Sequence, residues 1–149
     1  FADHPGEWRR LRADPALLRP AIEEVLRFES PGQSFFRTTT CPVDVGGVAI
    51  PAGQKVLLFL GAANRDPRHW SAPDRFDITR HPRGHLAFGA GIHACVGHMV
   101  ARMEAEAILG ALLRHVAEIE PAGPPQPRLS NSMRALAHLP LAVRPAMPS

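Results

Sequence analysis

Two cysteines, Cys41 and Cys95, are too few for a disulfide framework in a chain of 149 residues. That argues against the small stapled secreted folds and makes a reducing, cytoplasmic setting the expectation. No apolar run approaches the roughly 18 residues that span a bilayer. The longest, VLLFLGAA at 56–63, reads as a buried strand. Lys55 is the only lysine among 17 basic residues, and the formal charge is just +3. The arginines are scattered among acids and prolines, without runs or interleaved aromatics, which argues against a nucleic-acid binder. The opening residues do not form a signal segment, since charged residues follow Phe1 at once. The chain also starts without methionine and inside an element, which suggests a fragment. Apolar residues make up 45%, as in a soluble globular domain with a modest core.

The pattern alternates between helix and hairpin. Residues 1–12 read as a helix with Asp3 as cap and Pro5 in the first turn. Asp14-Pro15 restarts a short helix, and Pro20 opens another, with Ile22, Val25 and Leu26 as its apolar stripe. Residues 32–60 are β-branched and aromatic around Gly46-Gly47 and Pro51-Ala52-Gly53, hence hairpins. Residues 61–87 are turn-rich, and Trp70 is expected to pin them to the core. From Val96 a helical pattern runs to residue 117, aiming Met99, Met103, Leu109, Leu112, Leu113 and Val116 inward. A proline-rich stretch and a C-terminal hairpin close the chain at 118–149, with the tail VRPAMPS expected to fray. The expected class is mainly α with small antiparallel β hairpins.

The organising stretch is Phe88 to Gly97, FGAGIHACVG. Cys95 stands behind glycines and just ahead of a helix, where unpaired N–H groups and the helix dipole favour an anion. A thiolate is the metal-binding form of cysteine. Gly89, Gly91 and Gly97 give backbone freedom or let a flat ligand approach closely. A thiolate under a flat ligand fits a haem iron with a sulfur axial ligand. Two other readings stand beside it: a buried structural thiol, and a zinc site of His93, Cys95 and His98 that lacks a fourth ligand.

Phe88-Gly89-x-Gly91-x-His93-x-Cys95-x-Gly97, followed by Ala101-Arg102-x-Glu104, resembles the haem-binding loop of the cytochrome P450 family. Glu24-x-x-Arg27, followed by Phe28 and Ser30-Pro31, resembles the same family's Glu-x-x-Arg helix. On their own, Glu24 and Arg27 read as a surface pair worth a few tenths of a kcal/mol. Ala63-Asn64-Arg65-Asp66-Pro67 and Pro73-Asp74-Arg75-Phe76 are similar to the meander of bacterial members, whereas Cys41-Pro42 departs from the usual acidic residues. The resemblance covers nearly the whole chain and implies the C-terminal, haem-anchoring part of that fold. Its parts would be helices at 1–29, hairpins at 32–60, the meander at 61–87, the thiolate loop at 88–97, a helix at 96–117 and the C-terminal hairpin region.

What the resemblance implies is specific. Cys95 would be the axial ligand of haem b. Arg37 would bond one propionate, in place of a cross-strand ion pair, and His93 the other. Phe88 would pack beside the sulfur and keep water away. Gly89, Gly91 and Gly97 would complete the cofactor site. Glu24 and Arg27 would form a buried ion pair, joined by Arg75 with Arg80 as the alternative. Ser34, Phe35, Phe36, Ser132 and Met133 would contact substrate. The reaction would be monooxygenation of an apolar small molecule, with electrons from a ferredoxin and its reductase or a similar donor. An arginine-rich face could meet such an acidic donor. No nucleic acid or membrane would be involved. The distal helix with its acid–alcohol pair finds no match in this sequence. A non-catalytic haem-binding fragment and an H₂O₂-dependent peroxygenase therefore stand as alternatives.

Overall fold

The computed structural model describes residues 1–147. Pro148 and Ser149, the end of the tail expected to fray, lie outside the described residues. α1 (Pro5–Ala13) starts with proline in its first turn, where the missing N–H costs nothing. Its cap position is His4 and no side chain caps it, so Asp3 does not play that part. Asp14 instead accepts from the Ala16 N–H and starts a 3-10 turn, Pro15–Leu17, that runs into α2 (Leu18–Glu29). α2 ends where Ser30 turns left-handed at φ 43° and bonds its hydroxyl back to the Arg27 carbonyl.

Four strands follow. β1 (Ser34–Thr38) pairs antiparallel with β4 (Lys55–Phe59), and β2 (Val43–Val45) with β3 (Val48–Ile50) across Gly46-Gly47. Both glycines have positive φ, as a tight hairpin turn requires. The apolar run at 56–63 is not one buried strand. β4 stops at Phe59, Leu60–Ala63 forms a single helical turn, α3, and Leu57, Leu58 and Phe59 are exposed. Apolarity there reflects a face that no other element among the described residues covers.

α4 (His98–His115) begins two residues later than the sequence pattern suggests, with Gly97 at its cap position. It packs on α2. Val116 begins β5 (Val116–Pro121), which pairs with β8 (Leu141–Pro145) and encloses the pair β6 (Gln126–Arg128) and β7 (Ala135–His138). Prolines 121 and 127 are tolerated because every strand of a two-stranded sheet has a free edge.

The core gathers Trp8 and Leu11 of α1, Ala21 of α2, Phe76 and Ile78 of the meander, and Val116 and Ile119 of β5. Trp8 donates its indole N–H to the Ala117 carbonyl at 3.1 Å, tying α1 to β5. Leu112 and Leu113 pack against this core. Met99 and Met103 do not: both are more than 60% exposed, with Val100 and Ile108 beside them. Among the described residues nothing covers that side of α4.

Candidate functional site

Strand parity decides which β1 residues meet the cysteine loop. Successive side chains alternate faces, so Phe35 and Arg37 share one. Both line a cavity of about 400 Å³. Ala87, Phe88, Gly89, His93 and Cys95 form the facing wall, and Leu26, Gly32, Leu60 and Met133 fill its sides. Ser34 and Phe36 fall on the opposite face of β1 and do not line it. Phe36 is exposed, with the Lys55 ammonium 5.7 Å from its ring centroid. Ser132 does not line the cavity either. Its carbonyl accepts from the Gln33 N–H at 2.8 Å, which holds the 130–134 turn against the start of β1 and brings Met133 to the rim.

The loop is built on its own backbone. The Cys95 N–H donates to the Phe88 carbonyl at 2.8 Å, and a 3-10 turn, Gly91–His93, fills the space between. Gly89 has φ +71°, and a Cβ there would sit 2.8 Å from the His93 carbonyl oxygen. Gly91 has φ +59° with open space around it. Gly97 is different. Its φ is −85°, and a Cβ would make only ordinary contact, 3.9 Å from the Cys95 sulfur. Glycine is thus required by backbone geometry at 89, both sterically and conformationally, and at 91 by conformation alone.

Cys95 is a free, exposed thiol at the cavity wall, two residues ahead of the α4 cap. Arg37 spends one N–H on its neighbour's carbonyl, Phe36 O at 2.7 Å, and among the described residues no carboxylate pairs with it. His93, Cys95 and His98 are not gathered into a group that could hold a metal ion, so the zinc reading has no geometric support. Cys41 is exposed and does not line the cavity.

Outside the cavity lining, α2 carries a buried ionic network. Glu24 and Arg27 are both fully buried, so the surface-pair reading is overturned. All five guanidinium N–H groups of Arg27 find acceptors: both Glu24 oxygens, and the carbonyls of Asn64, Pro73 and Arg75. The second arginine is Arg80 and not Arg75. Arg80 donates from Nε to Glu24 Oε1 at 3.1 Å. The Arg75 side chain is 67% exposed and faces Asp77 at 3.5 Å. The cause is the turn at 77–80, where Asp77 accepts from the Thr79 N–H and hydroxyl and folds Arg80 back over the network. Arg75 contributes only its carbonyl, which accepts from both Arg27 and Arg80.

Buried Asn64, which the sequence presents only as one residue of a meander segment, links this network to the loop. Its carbonyl accepts from Arg27, its Nδ2 donates to Ser30 Oγ, and its Oδ1 accepts from the Leu86 N–H, two residues before Phe88. A second cluster was equally hidden. Glu23 accepts from His85 at 2.8 Å and from Arg102 at 2.5 and 2.9 Å. The Arg102 bonds hold its carboxyl below the ordinary range, with His85 adding to the effect. Pairing distances of 62 and 79 residues leave no local signal for either contact.

A thiol beside a helix start, a left-handed glycine turn and a guanidinium that no carboxylate pairs with among the described residues thus come together at one mostly apolar cavity. Residues 10–143 match the cytochrome P450 family model. Cytochrome p450 CYP199A2 of Rhodopseudomonas palustris is 57% identical over 146 residues, 98% of this chain and 35% of that protein. The beta-dihydromenaquinone-9 omega-hydroxylase of Mycobacterium tuberculosis is 48% identical over 97% of this chain and 30% of that protein. Among solved structures, P450BioI in complex with acyl carrier protein ligated to hexadec-9Z-enoic acid superposes with a TM-score of 0.91 at 42% identity, over 96% of this chain and 37% of that one. The chain belongs to the cytochrome P450 family. It spans about a third of the length of these relatives.

The family's cofactor is a haem held by a cysteine thiolate. The residues present fit such a group. The only cysteine at the cavity is Cys95, the wall behind it carries a turn that a Cβ at Gly89 would block, and Arg37 faces the same space with donors to spare. No helix among the described residues is long and apolar enough to cross a membrane.

Proposed function

We propose that this chain anchors haem b through Cys95 and serves a monooxygenase that inserts one atom of O₂ into an apolar organic substrate. The observation that carries the reading is that the loop of Phe88, His93 and Cys95 shares one cavity with Arg37 of β1, a strand far from it in sequence. Haem would supply the activation of O₂ and the transfer of one oxygen atom, the other leaving as water. The chain's residues do the rest. Cys95 presents a thiolate at the cavity wall. Arg37 and His93 bind the two propionates, the first through its planar fork. The turn at Gly89 and Gly91 keeps the backbone low enough for a flat macrocycle. Phe88 excludes water from the sulfur.

Phe35 and Met133 are the substrate-facing candidates that line this cavity. An apolar substrate is supported by that lining and by two relatives, one named for hydroxylating beta-dihydromenaquinone-9 and one solved with hexadec-9Z-enoic acid on acyl carrier protein. Electrons come from a ferredoxin with its reductase or a similar donor, and the setting is cytoplasmic.

A reduced-plus-CO difference spectrum of the haem-loaded chain tests this. A red-shifted Soret band of thiolate-ligated ferrous–CO haem, lost in Cys95→Ser, supports the assignment. A haem spectrum indifferent to Cys95→Ser overturns it.

A further inference from the structure

Phe88 is a shared wall. Phe88 lines the cavity together with Cys95, and it also lines an open cleft of about 380 Å³ with Glu23, His85, His98 and Arg102. The cleft side is not passive. The Arg102 guanidinium carbon sits 4.7 Å from the Phe88 ring centroid, a cation–π stack. Arg102 is held by both oxygens of Glu23 and, through Nη1, lies 2.9 Å from His98 Nδ1. Glu23 also bonds His85 Nε2, and His85 Nδ1 accepts from the Ala87 N–H at 3.2 Å, the residue before Phe88. That pattern places the His85 proton on Nε2, pointing at Glu23. One carboxylate thus fixes the backbone entering Phe88 and the cation covering its ring. Glu23 sits on α2 directly beside Glu24, so the clamp is referenced to the buried network.

The geometry points to Glu23 as a positioning residue that, through Arg102 and His85, locks the Phe88 ring as the water barrier over the Cys95 sulfur. This rests on the assignment of Cys95 as the haem ligand. Loosening the ring admits water from the cleft to the sulfur. Hydrogen bonds to a thiolate weaken its donation to iron, and hydration favours the more negative ferrous form. The reduction potential therefore rises when the clamp is released.

The test is a double-mutant cycle on the haem-loaded chain, read as the ferric/ferrous potential by spectroelectrochemistry. The expected result is a positive shift in Glu23→Gln that vanishes when the same substitution is made in Phe88→Leu, because the barrier is already gone. A shift of equal size in both backgrounds would be the bare loss of a negative charge and would overturn the positioning role. So would no shift at all. Arg102→Lys keeps the charge and the ion pair but removes the flat stacking group. It should raise the potential in the same Phe88-dependent way, and it serves if Glu23→Gln does not fold. The Cys95→Ser spectrum separates the two readings: failure there removes the ligand assignment, whereas an intact thiolate spectrum with a flat cycle removes only the clamp.

Discussion

Arg80 donates to Glu24 across 3.1 Å although 56 residues separate them, and it does so while Arg75, five residues nearer, faces solvent. Glu24 thereby accepts from two arginines and from the Asp77 N–H at 3.1 Å. Arg80→Ala removes a charge-assisted bond to a fully buried carboxylate and should destabilise the chain by about 1.5–3 kcal/mol. Arg75→Ala should fall within about 0.5 kcal/mol, as exposed positions do. Urea midpoints of the two variants decide which arginine belongs to the network.

Removing one member of the innermost pair is costlier. Arg27→Ala leaves the Glu24 carboxylate short of two donors and strips the Asn64 and Pro73 carbonyls of theirs, at about 3–5 kcal/mol. Because Asn64 connects Arg27 to the loop through the Leu86 N–H, haem uptake should fall together with stability. Parallel denaturation and haem titration check this. Unimpaired uptake by a destabilised Arg27→Ala would uncouple the network from the loop.

What could be read in advance was local, and what could not was a matter of long-range pairing and of direction. The left-handed glycines at 89 and 91, the cysteine ahead of α4 and the Glu24–Arg27 spacing are all carried by a few consecutive residues. The choice of Arg80 over Arg75 depended on the Asp77–Thr79 turn, which reverses a side chain that composition cannot orient. Ser34 and Phe36 are equally polar or aromatic neighbours of the true lining residues, and only strand parity separates them. The Glu23 cluster joins three segments 62 and 79 residues apart, so nothing in any window announces it. Met99 and Met103 follow a core-facing pattern on a face that the described residues leave open.

The three glycines of the loop should rank in a fixed order. Gly89→Ala meets both the left-handed penalty of about 1–2 kcal/mol and a backbone oxygen at 2.8 Å that cannot step aside without moving the loop. Gly91→Ala meets only the first, since nothing lies within 4 Å of the added carbon. Gly97→Ala meets neither. Thermal melts of the cofactor-free chain should therefore order the losses 89, then 91, then 97. A Gly97 variant as damaged as Gly89 would contradict the loop geometry.

Acid should weaken the α2–α4 contact through Glu23. Arg102 in the first place holds its carboxyl below the ordinary range, so the folded value lies under the unfolded one of about 4.3. A group depressed in this direction contributes stability that is full above the unfolded value and is lost as pH falls through the folded one. Arg102 keeps its charge throughout, its own proton held more firmly by Glu23. The stability gap between the native chain and Glu23→Gln should thus close as pH falls below about 4. A gap that goes on widening below about pH 4 would reverse the sign and refute the pairing.

Arg37 offers the sharpest separation between packing and recognition. Its one internal bond goes to the adjacent Phe36 carbonyl, so little of the fold depends on it. Arg37→Ala should leave the denaturation midpoint of the cofactor-free chain within about 0.5 kcal/mol of native. Its haem affinity should nonetheless drop roughly ten- to hundredfold, the worth of one charge-assisted bond to a carboxylate. Arg37→Lys keeps the charge but not the fork and should recover only part of that loss. The neighbouring Phe36→Ala, on the other face of β1, should change neither quantity. Fluorescence quenching on titration with hemin gives the affinities. Equal losses in Arg37→Ala and Phe36→Ala would mean that β1 supports the cavity through its backbone alone, whereas a loss confined to position 37 ties the guanidinium to the propionate.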